Sequence, residues 1–247
     1  MRQALQAAAA CVRGLAARLE LPNRRVVRLL EKGKYAEAEP LAQQALADAL
    51  KKNPNDRNTA KSLNNLAEVL RNQGRYDEAE PLYKRALAID EETLGADHPD
   101  TAIDLNNLAT LHYNQGRYDD AEPLYRRALA IYEKVRGPDH PETAANLNNL
   151  AVLFFKQGRY AEAEPLAKRA LAIDEKKLGA THPDTATDLN NLAKLCAAQR
   201  RFAEAEPLYA RAVAIRTKRF GPKHAATAQS RSELEALRRA RAEQPVG

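Results

Sequence analysis

The sequence has no tryptophan, one methionine and two cysteines. Cys11 and Cys196 show no paired spacing, so no disulfide framework is indicated and a reducing compartment suits the chain. No apolar run approaches the roughly 18 residues that mark a membrane-spanning helix. There is no glycine-rich phosphate loop, no nucleophile motif and no Cys/His/Asp constellation, which gives catalysis no foothold. The reading is therefore a non-enzyme that needs no cofactor and holds no metal. Basic residues form no stripe along a working face, which argues against nucleic acid as the partner.

What is present suits helices: alanine, leucine, glutamate, arginine and lysine, with few β-branched runs. The net charge of +6 is uneven. Residues 1–34 carry eight basic and two acidic side chains, residues 216–247 eight and three, and the body between them is net acidic.

One stretch, Leu105 to Ile131, recurs almost word for word at Leu63–Ile89 and Leu147–Ile173, and in altered form at Leu189–Ile215. The step is 42 residues, marked by Gly74, Gly116 and Gly158 with Arg200 in the fourth slot, and by His98, His140, His182 and His224. A fixed period of this size is the mark of a repeat array, in which each unit buries its apolar face only against its neighbours. Five repeats are expected near residues 21–52, 57–95, 98–137, 140–179 and 182–221, followed by a polar capping helix at 225–241 and a tail at 242–247. Residues 1–20 read as a loose Ala/Arg-rich helical segment. Arg13 interrupts its apolar run too early for a secretory signal, so a cytoplasmic location is expected.

Within a repeat the apolar spacing is helical: Leu105, Leu108, Ala109 and His112 follow the i, i+3, i+4, i+7 rule. The first helix closes at Gly116, where a left-handed residue is easily accommodated. Arg200 at the same place predicts a non-glycine residue in a strained left-handed cap. Pro99, Pro141 and Pro183 are suited to first helical positions behind the periodic histidines. Those histidines lie at least about 8–10 Å apart by helix packing distances, too far to share a zinc that sits ~2 Å from each ligand. Turn and capping roles fit them instead. Glutamate pairs such as Glu78 and Glu80 open the second helices, where they complement the helix dipole.

Ala79, Tyr83 and Ala86, and again Ala121, Tyr125 and Ala128, carry the Ala-x3-Tyr-x2-Ala pattern of a tetratricopeptide second helix. Together with the LNNLA, QGRY, EAEPLY and DHP words and the 42-residue period, the chain resembles the kinesin light chain type of tetratricopeptide repeat over about Leu21 to Ala240. The resemblance implies an all-α, right-handed α-solenoid of about five helix-turn-helix repeats plus a C-terminal capping helix. It also implies protein–protein interaction, with the first helices lining the concave side of the superhelix.

A helical wheel then selects the residues opposite the core. The second repeat contributes Lys61, Asn65, Glu68 and Asn72; the third Ile103, Asn107, Thr110 and Asn114; the fourth Asn149, Val152 and Lys156; the fifth Asn191 and Lys194. Arg71, Tyr113 and Phe155 flank them. An amide offers two donors and two acceptor sites, so a row of asparagines suits the main chain of an extended peptide. The alternative is that the asparagine pairs knit neighbouring first helices, which the wheel favours for Asn64, Asn106, Asn148 and Asn190 on the flank. The expected partner is a protein or peptide with an aromatic or aliphatic anchor and flanking acids. Two other functions fit the sequence: a self-associating platform driven by basic ends and an acidic middle, and a targeting or regulatory subunit of an enzyme complex.

Overall fold

A computed structural model describes residues 22–243. The segment expected at residues 1–20 and the end of the tail, residues 244–247, lie outside the described residues. Helix is the only regular secondary structure among the described residues. A short helix α1 (22–31) precedes α2 (Tyr35–Lys52), α3 (Arg57–Asn72), α4 (Tyr76–Thr93), α5 (Pro99–Asn114) and α6 (Tyr118–Val135). These are followed by α7 (Pro141–Lys156), α8 (Tyr160–Lys177), α9 (Pro183–Ala198), α10 (Phe202–Phe220) and α11 (Ala225–Ala242). The described residues form two compact units, divided between Leu124 and Tyr125.

In the N-terminal unit, α2 packs on α3, α3 on α4 and α4 on α5. Val26, Ala38, Ala42, Leu66, Leu70, Ala79, Tyr83 and Leu108 form one buried cluster, and Ala60, Leu63, Ala86 and Ile89 another. The alanines are fully buried; a methyl at these crossings lets two backbones approach, and the leucines and Tyr83 fill the space between them. In the C-terminal unit, α7 packs on α8, α8 on α9, α9 on α10 and α10 on α11. Its clusters repeat the same registers: Ala144, Leu147, Ala170 and Ile173, then Ala186, Leu189, Ala212 and Ile215. His112 and Cys196 are buried, as their core registers require.

The turns follow from the residues that occupy them. His98, His140, His182 and His224 each accept a hydrogen bond through Nδ1 from the backbone N–H two residues on, at 3.1–3.3 Å. Each thereby satisfies an orphan donor of the first turn. Pro99, Pro141 and Pro183 stand inside that turn, where a missing N–H costs nothing. In the first linker the role passes to Asp56, whose Oδ1 accepts from Thr59 N at 2.9 Å. A buried threonine then ties the first turn of each of α5, α7 and α9 back to the start of its linker. Thr101, Thr143 and Thr185 donate through Oγ1 to the carbonyls of Gly95, Gly137 and Gly179, all at 2.9 Å. At the other end of the first helices, Gly116 has φ +75°, and Arg200 adopts the same left-handed conformation with φ +59°.

Candidate peptide-binding face

The exposed face of the first helices follows from their 3.6-residue period. On α5, Leu105, Leu108, Ala109 and His112 are buried, while Ile103, Asn107, Thr110 and Asn114 fall on the opposite stripe. Ile103 is 43% exposed and Asn114 is exposed, with Asn107 and Thr110 half-buried between them. The same gradation recurs on α3: Lys61 and Asn72 exposed, Asn65 and Glu68 half-buried. These two helices supply the face of the N-terminal unit.

In the C-terminal unit, α7 presents Asn149 and Val152 half-buried and Lys156 exposed, and α9 presents Asn191 and Lys194 half-buried. Lys194 Nζ reaches Glu233 Oε1 of α11 at 2.9 Å. The cation of this repeat is thus shared with the last helix.

Flanking residues have structural partners. Tyr113 lies 5.6 Å from the Tyr118 ring at an angle of 46°, and Phe155 lies 5.7 Å from Tyr160 at 45°. Each ring on the face therefore leans on the aromatic that seals the turn of its own repeat. Burial pushes the Tyr113 phenol up, which leaves it a neutral donor and acceptor. Arg71 holds this register in α3, with Nη2 3.6 Å from Glu68 Oε1 and a side chain only 16% exposed.

The asparagines divide. Asn64 Nδ2 donates to Asp104 Oδ1 at 2.5 Å, from α3 to α5. Asn190 Nδ2 donates to Glu233 Oε2 at 2.7 Å and its Oδ1 accepts from Ser230 Oγ at 2.9 Å, both on α11. These first members of the pairs therefore join successive first helices. Two second members do so as well: Asn65 Nδ2 donates to Asn23 Oδ1 at 2.9 Å, and Asn191 Nδ2 to Asn148 Oδ1 at 3.0 Å. At these two positions one amide donor is engaged in the seam.

The second-helix acids do more than complement a dipole. Arg75 lies at the start of α4 and donates to Glu39 of α2 at 2.6 Å and to Glu78 at 2.7 Å. Arg117 likewise joins Glu80 and Asp120, both at 2.8 Å, and Arg201 joins Glu164 at 2.6 Å and Glu204 at 2.8 Å. Hydrogen bonds from Arg201 and then Lys168 hold the Glu164 carboxyl down at about 2. These arginine clamps link second helices of successive repeats. Sequence reasoning missed them, although the i, i+3 half of each clamp is visible in the word GRYDEAE and its variants. Among the described residues no group of three or more His, Cys, Asp or Glu is arranged to hold a metal ion. No helix among them is long and apolar enough to cross a membrane.

Helix pairs of this register, with small residues at the crossings and a periodic linker, point to one family. Residues 58–134, 105–176, 147–218 and 184–245 each match a Tetratricopeptide repeat model, and residues 23–92 match a second model of the same description. The chain belongs to the tetratricopeptide repeat family. Its fold is shared with a putative kinesin light chain of Podosopora anserina built of nearly identical TPR-like repeats. That structure is 27% identical with a TM-score of 0.67, over 82% of this chain and 97% of that one. The crystal structure of BtubC (BKLC) from P. vanneervenii is 24% identical with a TM-score of 0.67, over 91% of this chain and 85% of that one. A Rap protein complexed with competence and sporulation factor is 18% identical with a TM-score of 0.64, over 93% of this chain and 66% of that one. The last two likenesses bear on the fold alone. No curated protein matches the chain by sequence. A tetratricopeptide repeat array is a scaffold of the kind typical of protein–protein interaction.

Proposed function

We propose that the exposed stripe of the first helices binds an extended peptide segment of a partner protein, and that the chain is a non-catalytic interaction scaffold. The observation that carries this reading is the stripe itself. Ile103 stands exposed beside the amides of Asn107 and Asn114 and the hydroxyl of Thr110, on a helix whose opposite side is fully buried. A surface of this kind offers both halves of what an extended chain needs, main-chain hydrogen bonding and an apolar contact. Val152 and Phe155 repeat the apolar component on α7. Exposed Lys61 and Lys156 favour acidic side chains flanking an aromatic or aliphatic anchor. The Rap protein complexed with competence and sporulation factor is a precedent for a partner held by this fold.

Peptide display against the full chain tests the reading. Enrichment of an acidic motif with one aromatic or aliphatic anchor is expected, and a library that returns no motif overturns it. Asn107→Ala should weaken the selected peptide about tenfold, the scale of one or two hydrogen bonds lost at a binding face. Asn65→Ala serves as the contrast, since it also breaks the bond to Asn23 and should lower the melting temperature.

A further inference from the structure

Four buried aspartates have no place in the binding face. Asp90 of α4 and Asp104 of α5 are 3% and 1% exposed; Asp174 of α8 and Asp188 of α9 are 4% and 3% exposed. Each pair spans the joint between a second helix and the first helix of the next repeat. Within each pair the carboxyls face one another within hydrogen-bonding reach. Asp90 Oδ1, Asp104 Oδ2, Asp174 Oδ1 and Asp188 Oδ2 are all buried, and no N–H or O–H of a neighbouring side chain or backbone reaches them. An ionised carboxylate only accepts hydrogen bonds, and two of them in a low-dielectric contact repel. One shared proton removes both difficulties.

The same register in the last repeat shows what the joint requires. There Arg216 stands where Asp174 does, Ser230 where Asp188 does, and Arg216 Nη1 donates to Ser230 Oγ at 2.5 Å. The joint is closed by a donor facing an acceptor. Between two aspartates only a proton supplies the donor.

We propose that each compact unit holds one proton between its pair of buried carboxyls, as a proton-dependent joint between successive repeats. Burial is the first cause that raises Asp104 and Asp188, each to about 8, while Asp90 and Asp174 rise less deeply buried. Asp104 and Asp188, the less exposed member of each pair, share the proton with Asp90 and Asp174. The charges around the first pair are Arg57 and Lys61 of α3, and His98 and Asp100 at the start of α5. Arg57 Nε is held by Asp100 at 2.8 Å, which leaves its charge at the rim of the joint. Around the second pair stand His182 and Asp184 at the start of α9. Asp100 and Asp184 repel a second negative charge and so help retain the proton. Because Asp104 Oδ1 also accepts from Asn64, the joint is tied to the preceding first helix.

The sign follows from linkage. The folded carboxyl titrates near 8 and the unfolded one near its ordinary 3.8. Its stabilising contribution is complete below the unfolded value, is lost as pH rises toward 8, and changes no further above it. The loss approaches tenfold in the folding equilibrium per pH unit for each pair. Burial pushes the His112 imidazole down, a linkage of opposite sign confined to pH below its ordinary 6.5.

Urea unfolding of the full chain between about pH 6.5 and 8.5 isolates the effect. The wild-type midpoint should fall across this range and level off at its top. The double variant Asp104→Asn, Asp188→Asn carries a permanent N–H donor in place of the proton, and asparagine is already the residue at this register in the intervening repeat, Asn146. Its midpoint should be flat with pH and exceed that of the wild type at the alkaline end. An equal slope in both proteins overturns the proposal. Infrared spectra of the wild type need no variant: a protonated carboxyl stretch should be present at neutral pH and vanish above about pH 9. Its absence at neutral pH equally overturns the proposal.

Discussion

Arg200 bears a backbone conformation that its side chain opposes. With φ +59° it holds the left-handed cap that Gly74, Gly116 and Gly158 hold in the other repeats. A Cβ in this region costs roughly 1–2 kcal/mol, and replacing it by hydrogen returns part of that to the extra entropy of an unfolded glycine. Arg200→Gly should therefore raise stability by about 1 kcal/mol, read as a higher urea midpoint at unchanged denaturant slope. A midpoint that stays put or falls shows that the Arg200 side chain itself contributes to the turn. This strain was legible in the sequence because the period named the slot and the slot named its conformation. The asparagines were legible only by halves. A wheel gives the angle of Asn65 and Asn191 about their own helix, but not the distance to Asn23 and Asn148 across the seam, and that distance decides where their donors go. The aspartate pairs were not legible at all. A charged side chain reads as solvent-facing until its partner on the next helix is in place, and Asp90 and Asp104 become a pair only when α4 meets α5.

At the scale of the element, the linker does two different jobs with adjacent residues. His140 caps α7 from its own linker, whereas Thr143, one turn in, reaches back to the Gly137 carbonyl two residues past the end of α6. The first sets where a helix begins; the second fixes that beginning against the helix before it. Thr143 is fully buried, so Thr143→Val keeps the shape and removes the donor. A loss of about 1–2 kcal/mol is expected, with helix content by circular dichroism unchanged below the transition. A variant as stable as the wild type refutes the role of this bond. The arginine clamps should behave otherwise. Arg117 and its partner Asp120 are exposed and Glu80 is half-buried, and ion pairs open to solvent on one side are weak and screened by salt. Arg117→Gln should lower the midpoint only at low ionic strength, and the difference should close as salt is added. The helix boundaries were easier to read than these ties, since glycine, proline and histidine announce a turn locally while a clamp is completed by a residue some forty positions away.

For the molecule as a whole, stability in an array is close to a sum of repeat terms and nearest-neighbour interfaces, which makes the two ends unequal in character to the middle. In the C-terminal unit α11 forms the last such interface among the described residues. It buries Thr227, Ser230, Leu234 and Leu237 toward α10 and α9 and leaves its other face charged. It also places Arg238 and Arg241 on Glu206, at 2.8 and 2.7 Å, where a further repeat would place its clamp arginine. Glu233 in turn takes Asn190 and Lys194. The helix thus gives α9 and α10 the contacts of a following repeat while its other face is charged. Removing residues 225–247 should cost about 3–6 kcal/mol for the two leucines alone and uncover the apolar side of α9 and α10. The truncated chain should melt well below the full chain and associate in light scattering as its concentration rises, because the exposed face has the shape of a repeat interface. A truncated chain that stays monomeric and melts with the full one would show that α11 is an appendage, and that the array ends at α10.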